Sequence, residues 1–226
     1  MIANENCWLK SECNRCDCDK FCLRVFKLDY LYEEAMISLP QRKRRVLITD
    51  SDDSDLDAFS VLKGITDNVE SFVAEGKNLY IHSAITGNGK TSWALRVVQE
   101  YFNKIWYSSE LKCRALFISV PRLLIELKNN IENKSEYIQH IKENILTADI
   151  VIWDDIATKT VTTFEAEHLF SMIDARISLG KSNIYTSNLS SKDMITALGE
   201  RLNSRICYCD YNIEFKGKDK RGVKAE

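Results

Sequence analysis

From Phe59 onward the apolar residues follow two alternating rhythms. Phe59, Leu62, Ile65, Val69 and Phe72 stand three and four residues apart, the spacing that lines one face of an α-helix, and Gly76 follows as a C-cap. This predicts one amphipathic helix. Short unbroken apolar runs then appear: NLYIHSA at 78–84, RALFISV at 114–120, ADIVIWDD at 148–155 and SNIYTSN at 182–188. Runs of this length bounded by turn residues predict buried strands. Between them SWALRVVQEYFNKIWY keeps Leu95, Val98, Phe102 and Ile105 at helical spacing. PRLLIELKNNIE enters a helix through Pro121, and a further helix runs from Thr163 to Leu179 and stops at Gly180. Strands alternating with helices of this length imply an α/β fold, with a mostly parallel sheet covered by helices on both faces. A last alternating run, ICYCDYNIEF, reads as a strand in which Cys207 and Cys209 are small buried hydrophobes.

The loop after the first strand carries the most specific chemistry. GNGKT places Gly87, Asn88, Gly89, Lys90 and Thr91 between a strand and a helix, with Thr86 and Ser92 on either side. A phosphate cradle needs glycines so that backbone N–H groups can wrap the anion. It also needs a lysine for the β- and γ-oxygens and a hydroxyl for Mg²⁺. Ala84 stands where the full pattern has its first glycine, which is tolerable if that residue keeps an ordinary φ. An ATP site further needs carboxylates, and IVIWDD ends a buried strand on two of them. Asp154 is placed to bind Mg²⁺ together with Thr91, and Asp155 to act as general base. Asn188, at the end of the next strand, could hold the attacking water or sense the γ-phosphate.

The N-terminal quarter has a different texture. Five of the eight cysteines fall within the first 22 residues, as Cys7, Cys13, Cys16, Cys18 and Cys22. In a reducing compartment such crowding favours a metal over disulfides, and four thiolates suit Zn²⁺. Cys13, Cys16 and Cys22 with either Cys7 or Cys18 make one set, and an iron–sulfur cluster or unliganded thiols remain the alternatives. QRKRR at 41–45 and the acidic run at 49–57 read either as an exposed connector or as a solvated loop of the main domain. The division expected is residues 1–45 as a zinc-binding module, 46–57 as an acidic linker and 58–226 as the nucleotide-binding domain.

Composition narrows the partners. A chain of 226 residues with 45% hydrophobic content buries one ordinary core, and a formal net charge of −2 leaves nucleic-acid contacts to local patches. No run is long enough to span a bilayer and no secretory leader is evident, so the expectation is a cytoplasmic protein without a membrane partner. Trp93 and Trp106 fall on nearly the same face of one helix and read as packing. His82, His140 and His168 stand alone, with no metal partner at useful sequence spacing.

GNGKT, the strand ending WDD, the strand ending TSN, and then LGERLNSRI at 198–206 occur in an order that resembles the bacterial replicative-helicase loaders of the DnaC/DnaI type. These are AAA+ ATPases, and the resemblance covers Phe59 to Arg221. It implies an ATPase using ATP and Mg²⁺, with Arg205 as an arginine finger acting across a subunit interface and Arg201 as its neighbour. An exposed arginine, or one paired with Glu200, is the plainer reading of Arg205. The tail GKDKRG is similar to the sensor-2 region, which places Arg221 on the γ-phosphate. DnaI-type loaders carry an N-terminal zinc-binding helicase-docking module, although the cysteine spacing here is not a clean copy.

The partners so implied are a hexameric replicative helicase, single-stranded DNA and further copies of the chain, and the compact length points to a phage or mobile-element source. A transposition-helper ATPase acting in target-DNA selection is the nearest alternative. A non-hydrolysing adaptor or inhibitor is the other.

Overall fold

The computed structural model describes residues 7–9, 22–44, 46, 48, 54–129, 135–157 and 160–221. The central feature is a five-stranded sheet in the order β2-β3-β4-β1-β5, from β1 (Asn78–His82), β2 (Ala115–Ser119), β3 (Ile150–Asp154), β4 (Ser182–Ser187) and β5 (Tyr211–Glu214). All pairs are parallel. The first four strands are the four apolar runs, and their near-complete burial explains why those runs lack alternation. Tyr80 pairs with Tyr185 and Trp153 pairs with Tyr185, so β1, β4 and β3 end side by side. The loops that follow them share one edge.

Helices cover both faces. On one lie α1 (Leu23–Glu34), α3 (Leu56–Asp67), α4 (Val69–Ala74) and α5 (Lys90–Ile105), with a core built on Phe59, Leu62, Val98 and Phe102. On the other lie α6 (Val120–Asn129), α7 (Glu136–Asn144), α8 (Thr163–Ser178), α9 (Ser191–Leu198) and α10 (Glu200–Cys207), around Trp153, Leu169 and Ile206. The short α2 (Leu39–Arg42) follows α1.

Three expectations are corrected. The helix expected across 59–72 is two, because the backbone leaves the helical region at Asn68 (φ −113°, ψ 33°), whose side chain donates to Gly64 O at 3.0 Å. The run at 206–215 is not one strand: Ile206 and Cys207 finish α10, and β5 begins only at Tyr211. Both cysteines are half-buried. The stretch around QRKRR and the acidic run is not simply solvated. Arg42 pairs with Asp29 at 2.6 Å, and Asp55, 1% exposed, accepts from the backbone N–H of Lys216 at 2.7 Å and of Gly217 at 2.9 Å.

The segment bearing the cysteines is tied to the core where it is described. Leu28, Leu31 and Tyr32 of α1 belong to the same apolar cluster as α5, and the Tyr32 ring meets Phe102 edge to face at 5.1 Å. At the sheet end away from the loops, Arg176 is fully buried and donates to Ile145 O, Ala148 O, Ser182 O and Asn183 Oδ1. Burial lowers its pKa to about 10, and the four acceptors satisfy the guanidinium there.

Candidate nucleotide site

The loop between β1 and α5 is a cradle of glycine backbone. Gly87 (φ 75°) and Gly89 (φ 107°) both occupy left-handed conformations that disfavour a Cβ. At Gly87 there is also no room for one, since an added Cβ would fall 1.9 Å from Asp219 Oδ1. Among the described residues the non-glycine positions with positive φ are Met36, Asp155 and Ala157, so Ala84 keeps the ordinary φ its substitution requires. Gly89 is the N-cap of α5 and offers no side-chain oxygen, which leaves the first-turn amides of the helix for an anion.

Lys90 arches back over the loop and donates to Ile85 O at 2.9 Å and Asn88 Oδ1 at 3.2 Å. It is 6% exposed, and burial lowers its pKa, with Arg221 adding to the effect and Asp155 opposing it. Asn88 is itself fixed, donating to Ser83 Oγ at 2.7 Å. Thr91 Oγ1 donates to Asp154 Oδ1 at 2.8 Å, and Thr186 Oγ1 donates to the same oxygen at 2.8 Å. Burial raises the Asp154 pKa, Asp155 raises it further, and the two hydroxyls pull it back. A threonine hydroxyl and a carboxylate held this close form the oxygen donor set that suits Mg²⁺.

Asp155 adopts φ 55°, a conformation an aspartate bears at modest cost, and its N–H donates to Thr186 Oγ1 at 2.9 Å. Thr186 thus holds both carboxylate residues in place. The turn directs Asp155 into a cavity of about 310 Å³, also lined by Thr86, Gly87, Gly89, Lys90, Thr91, Ser92, Asn188 and Arg221. All the phosphate-loop, base, Asn188 and tail positions expected from sequence therefore meet in one place, with Asn88 and Asp154 bonded directly to that wall.

Arg44, Val46, Trp93 and Lys220 line the same cavity and were not legible as site residues. Trp93 stacks on Phe59 at 5.6 Å, and the Lys220 ammonium sits 5.0 Å over the same Phe59 ring. Lys220 N–H also donates to Gly87 O at 3.0 Å, so the segment after β5 is laid along the phosphate loop. A basic run before the domain and a basic tail after it were the available signals, but neither implies contact with residues 86–93.

Arg205 lies elsewhere, on α10. It is exposed and pairs through Nε with Asp174 Oδ1 of α8 at 2.7 Å, so its partner is not Glu200. Arg201 covers the Phe170 ring at 4.3 Å. Of the zinc candidates, Cys13, Cys16 and Cys18 lie outside the described residues, and Cys7 and Cys22 are half-buried free thiols. Among the described residues no helix is long and apolar enough to cross a membrane.

No protein-family model matches the sequence, and neither does any curated protein. Solved structures do match. The DnaC helicase loader aligns with a TM-score of 0.64 at 20% identity, over 79% of this chain and 100% of that one. DnaI aligns with a TM-score of 0.62 at 20% identity, over 80% of this chain and 95% of that one. AMPPCP-bound DnaA from Aquifex aeolicus aligns with a TM-score of 0.56 at 17% identity, over 76% of this chain and 50% of that one. The chain has the fold of the DnaC and DnaI helicase loaders, the family that its GNGKT, WDD, TSN and ERLNSRI segments resemble.

Proposed function

We propose that the chain is an ATP-hydrolysing loader that engages a hexameric replicative helicase and promotes its placement on single-stranded DNA during replication initiation. The observation that carries this is the Thr91–Asp154 contact at 2.8 Å beside a buried Lys90, on a sheet shared with the DnaC and DnaI structures. An adaptor without turnover has no need for that set together with Asp155.

In this reading the Gly87–Thr91 backbone and Lys90 hold the β- and γ-phosphates of ATP, with Thr86 and Ser92 at the rim. Thr91 and Asp154 would hold Mg²⁺, which neutralises charge on the transferred phosphoryl group. Asp155 takes the proton of the attacking water, and Asn188 orients that water. Arg221 contacts the γ-phosphate in the same chain. Arg205, which does not line its own chain's cavity, completes the site of a neighbouring copy, so hydrolysis waits on assembly. The cysteine segment holds Zn²⁺ and docks the helicase.

The test is capture of the purified helicase by the full chain. Wild type should retain the hexamer, and Cys13→Ser and Cys16→Ser should lose it while still binding a fluorescent ATP analogue. Failure of the wild-type chain to capture helicase would contradict the loader reading. Truncation is a poor substitute, because α1 and Asp55 belong to the folded core.

A further inference from the structure

Glu34, Cys113 and His140 come from three separate segments, and their ligand atoms all lie within 4.8 Å of one another. Glu34 is the last residue of α1, Cys113 precedes β2, and His140 sits on α7. His140 Nε2 lies 2.8 Å from the Glu34 carbonyl oxygen, and the Cys113 thiol donates to Ala115 O at 3.1 Å and more weakly to Glu34 O at 3.5 Å. Cys113 is 7% exposed and Glu34 and His140 are half-buried, and Glu34 and Cys113 line a cavity of about 380 Å³ shared with Tyr30 and Asn144.

We propose that Glu34, Cys113 and His140 form a zinc site that clamps the end of α1 to the nucleotide-binding core, distinct from the N-terminal cysteine segment. Thiolate, imidazole and carboxylate together are a zinc donor set, and three protein ligands leave one position for water. Tetrahedral coordination at ordinary Zn–S and Zn–N lengths places ligand atoms about 3.6 Å apart. The trio therefore needs to close by at most about 1 Å, within reach of side-chain rotation. The position also favours a cation electrostatically. It lies at the C-terminal end of a 12-residue helix whose last turn carries no basic residue, where the backbone carbonyls present negative partial charge. Of the nearby cations, Arg114 is already neutralised by Asp149 at 2.5 Å. On binding, the Cys113 thiol passes its proton to solvent and the sulfur bonds the metal as thiolate.

The test uses the full chain, loaded with Zn²⁺ or Co²⁺ and desalted. Cys113→Ser should carry about one metal fewer per chain than wild type, and His140→Ala and Glu34→Gln should bind that metal at least about tenfold more weakly. Cys16→Ser should leave this equivalent in place, which separates the two sites whether or not the N-terminal segment holds zinc. Cobalt should give a thiolate charge-transfer band that Cys113→Ser diminishes. Glu34→Gln keeps size and polarity, so it reports on the site even if Cys113→Ser or His140→Ala folds poorly. Unchanged metal content and an unchanged cobalt spectrum across the three variants would overturn the proposal.

Discussion

Thr91 Oγ1 donates a 2.8 Å hydrogen bond to Asp154 Oδ1, joining the first turn of α5 to the end of β3. The contact sets a carboxylate in a nearly closed environment next to a second carboxylate, Asp155, and both effects raise its pKa. A carboxyl with a raised folded-state pKa binds its proton more tightly in the folded chain than in the unfolded one. Folding is then favoured while the group is protonated, and that advantage is lost as pH rises from the ordinary carboxylate range through the raised value. At neutral pH the carboxyl of Asp154 therefore works against stability, a cost that the proposed Mg²⁺ role would account for.

Asp154→Asn should melt higher than wild type at pH 7 in the absence of nucleotide. The asparagine Oδ1 still accepts from Thr91 and Thr186, while the cost of burying a carboxyl beside Asp155 is gone. A gain of about 1 kcal/mol corresponds to about 2–4 °C in a chain of this size. The difference should shrink as pH falls and wild-type Asp154 becomes protonated. Thermal melts of both chains across pH check the sign, and Mg²⁺-dependent ATP turnover should be lost in the variant.

Asp55→Ala should weaken both the fold and nucleotide binding. It removes the acceptor of two backbone N–H groups, at Lys216 and Gly217, that hold the tail along the phosphate loop. Breaking charge-assisted bonds in a buried setting costs about 3 kcal/mol. Denaturant titration reads the stability. Titration with a fluorescent ATP analogue should show weaker binding, because Lys220 and Arg221 leave the cavity wall.

The two residues that make Asp55 important were out of reach of the sequence, since they lie about 160 positions away and nothing local marks the pairing. The phosphate loop was legible because its chemistry is local: glycines, lysine and threonine are adjacent and must be so to wrap one anion. The four central strands were equally legible, because full burial removes polar residues from both faces. Arg44 and Lys220 sat in basic runs that look solvated, and only the fold brings these two distant segments to residues 86–93. His140 illustrates the same limit: it has no metal partner at useful sequence spacing, and its neighbours in space are Glu34 and Cys113. The α1 helix escaped notice beneath the cysteine pattern, and the break at Asn68 was hidden by an apolar rhythm that continues across it.

Arg205→Ala should bind ATP normally and lose turnover by about 10³-fold, since its guanidinium is proposed to serve a neighbour's γ-phosphate. Lys90→Ala should fail to bind. Mixing the two inactive chains should restore activity, because some interfaces then join an intact phosphate loop to an intact finger. Turnover of each chain and of the mixture, with single-stranded DNA present, provides the comparison. A mixture that co-assembles yet stays inactive would make Arg205 a structural residue held by Asp174.

The most direct measurement for the loader account is helicase loading itself: unwinding by the purified hexameric helicase on a circular single strand carrying an annealed oligonucleotide, with and without this chain. A closed circle denies the hexamer a free end to thread. With ATP, wild type should raise the initial unwinding rate by about 10-fold or more, a shift of about 1.4 kcal/mol in the effective barrier. Lys90→Ala should leave the rate at its level without loader, and Asp155→Asn should capture helicase but fail to support repeated loading. An unwinding rate that wild type leaves unchanged, with the helicase active on a linear forked substrate in the same buffer, would contradict the account.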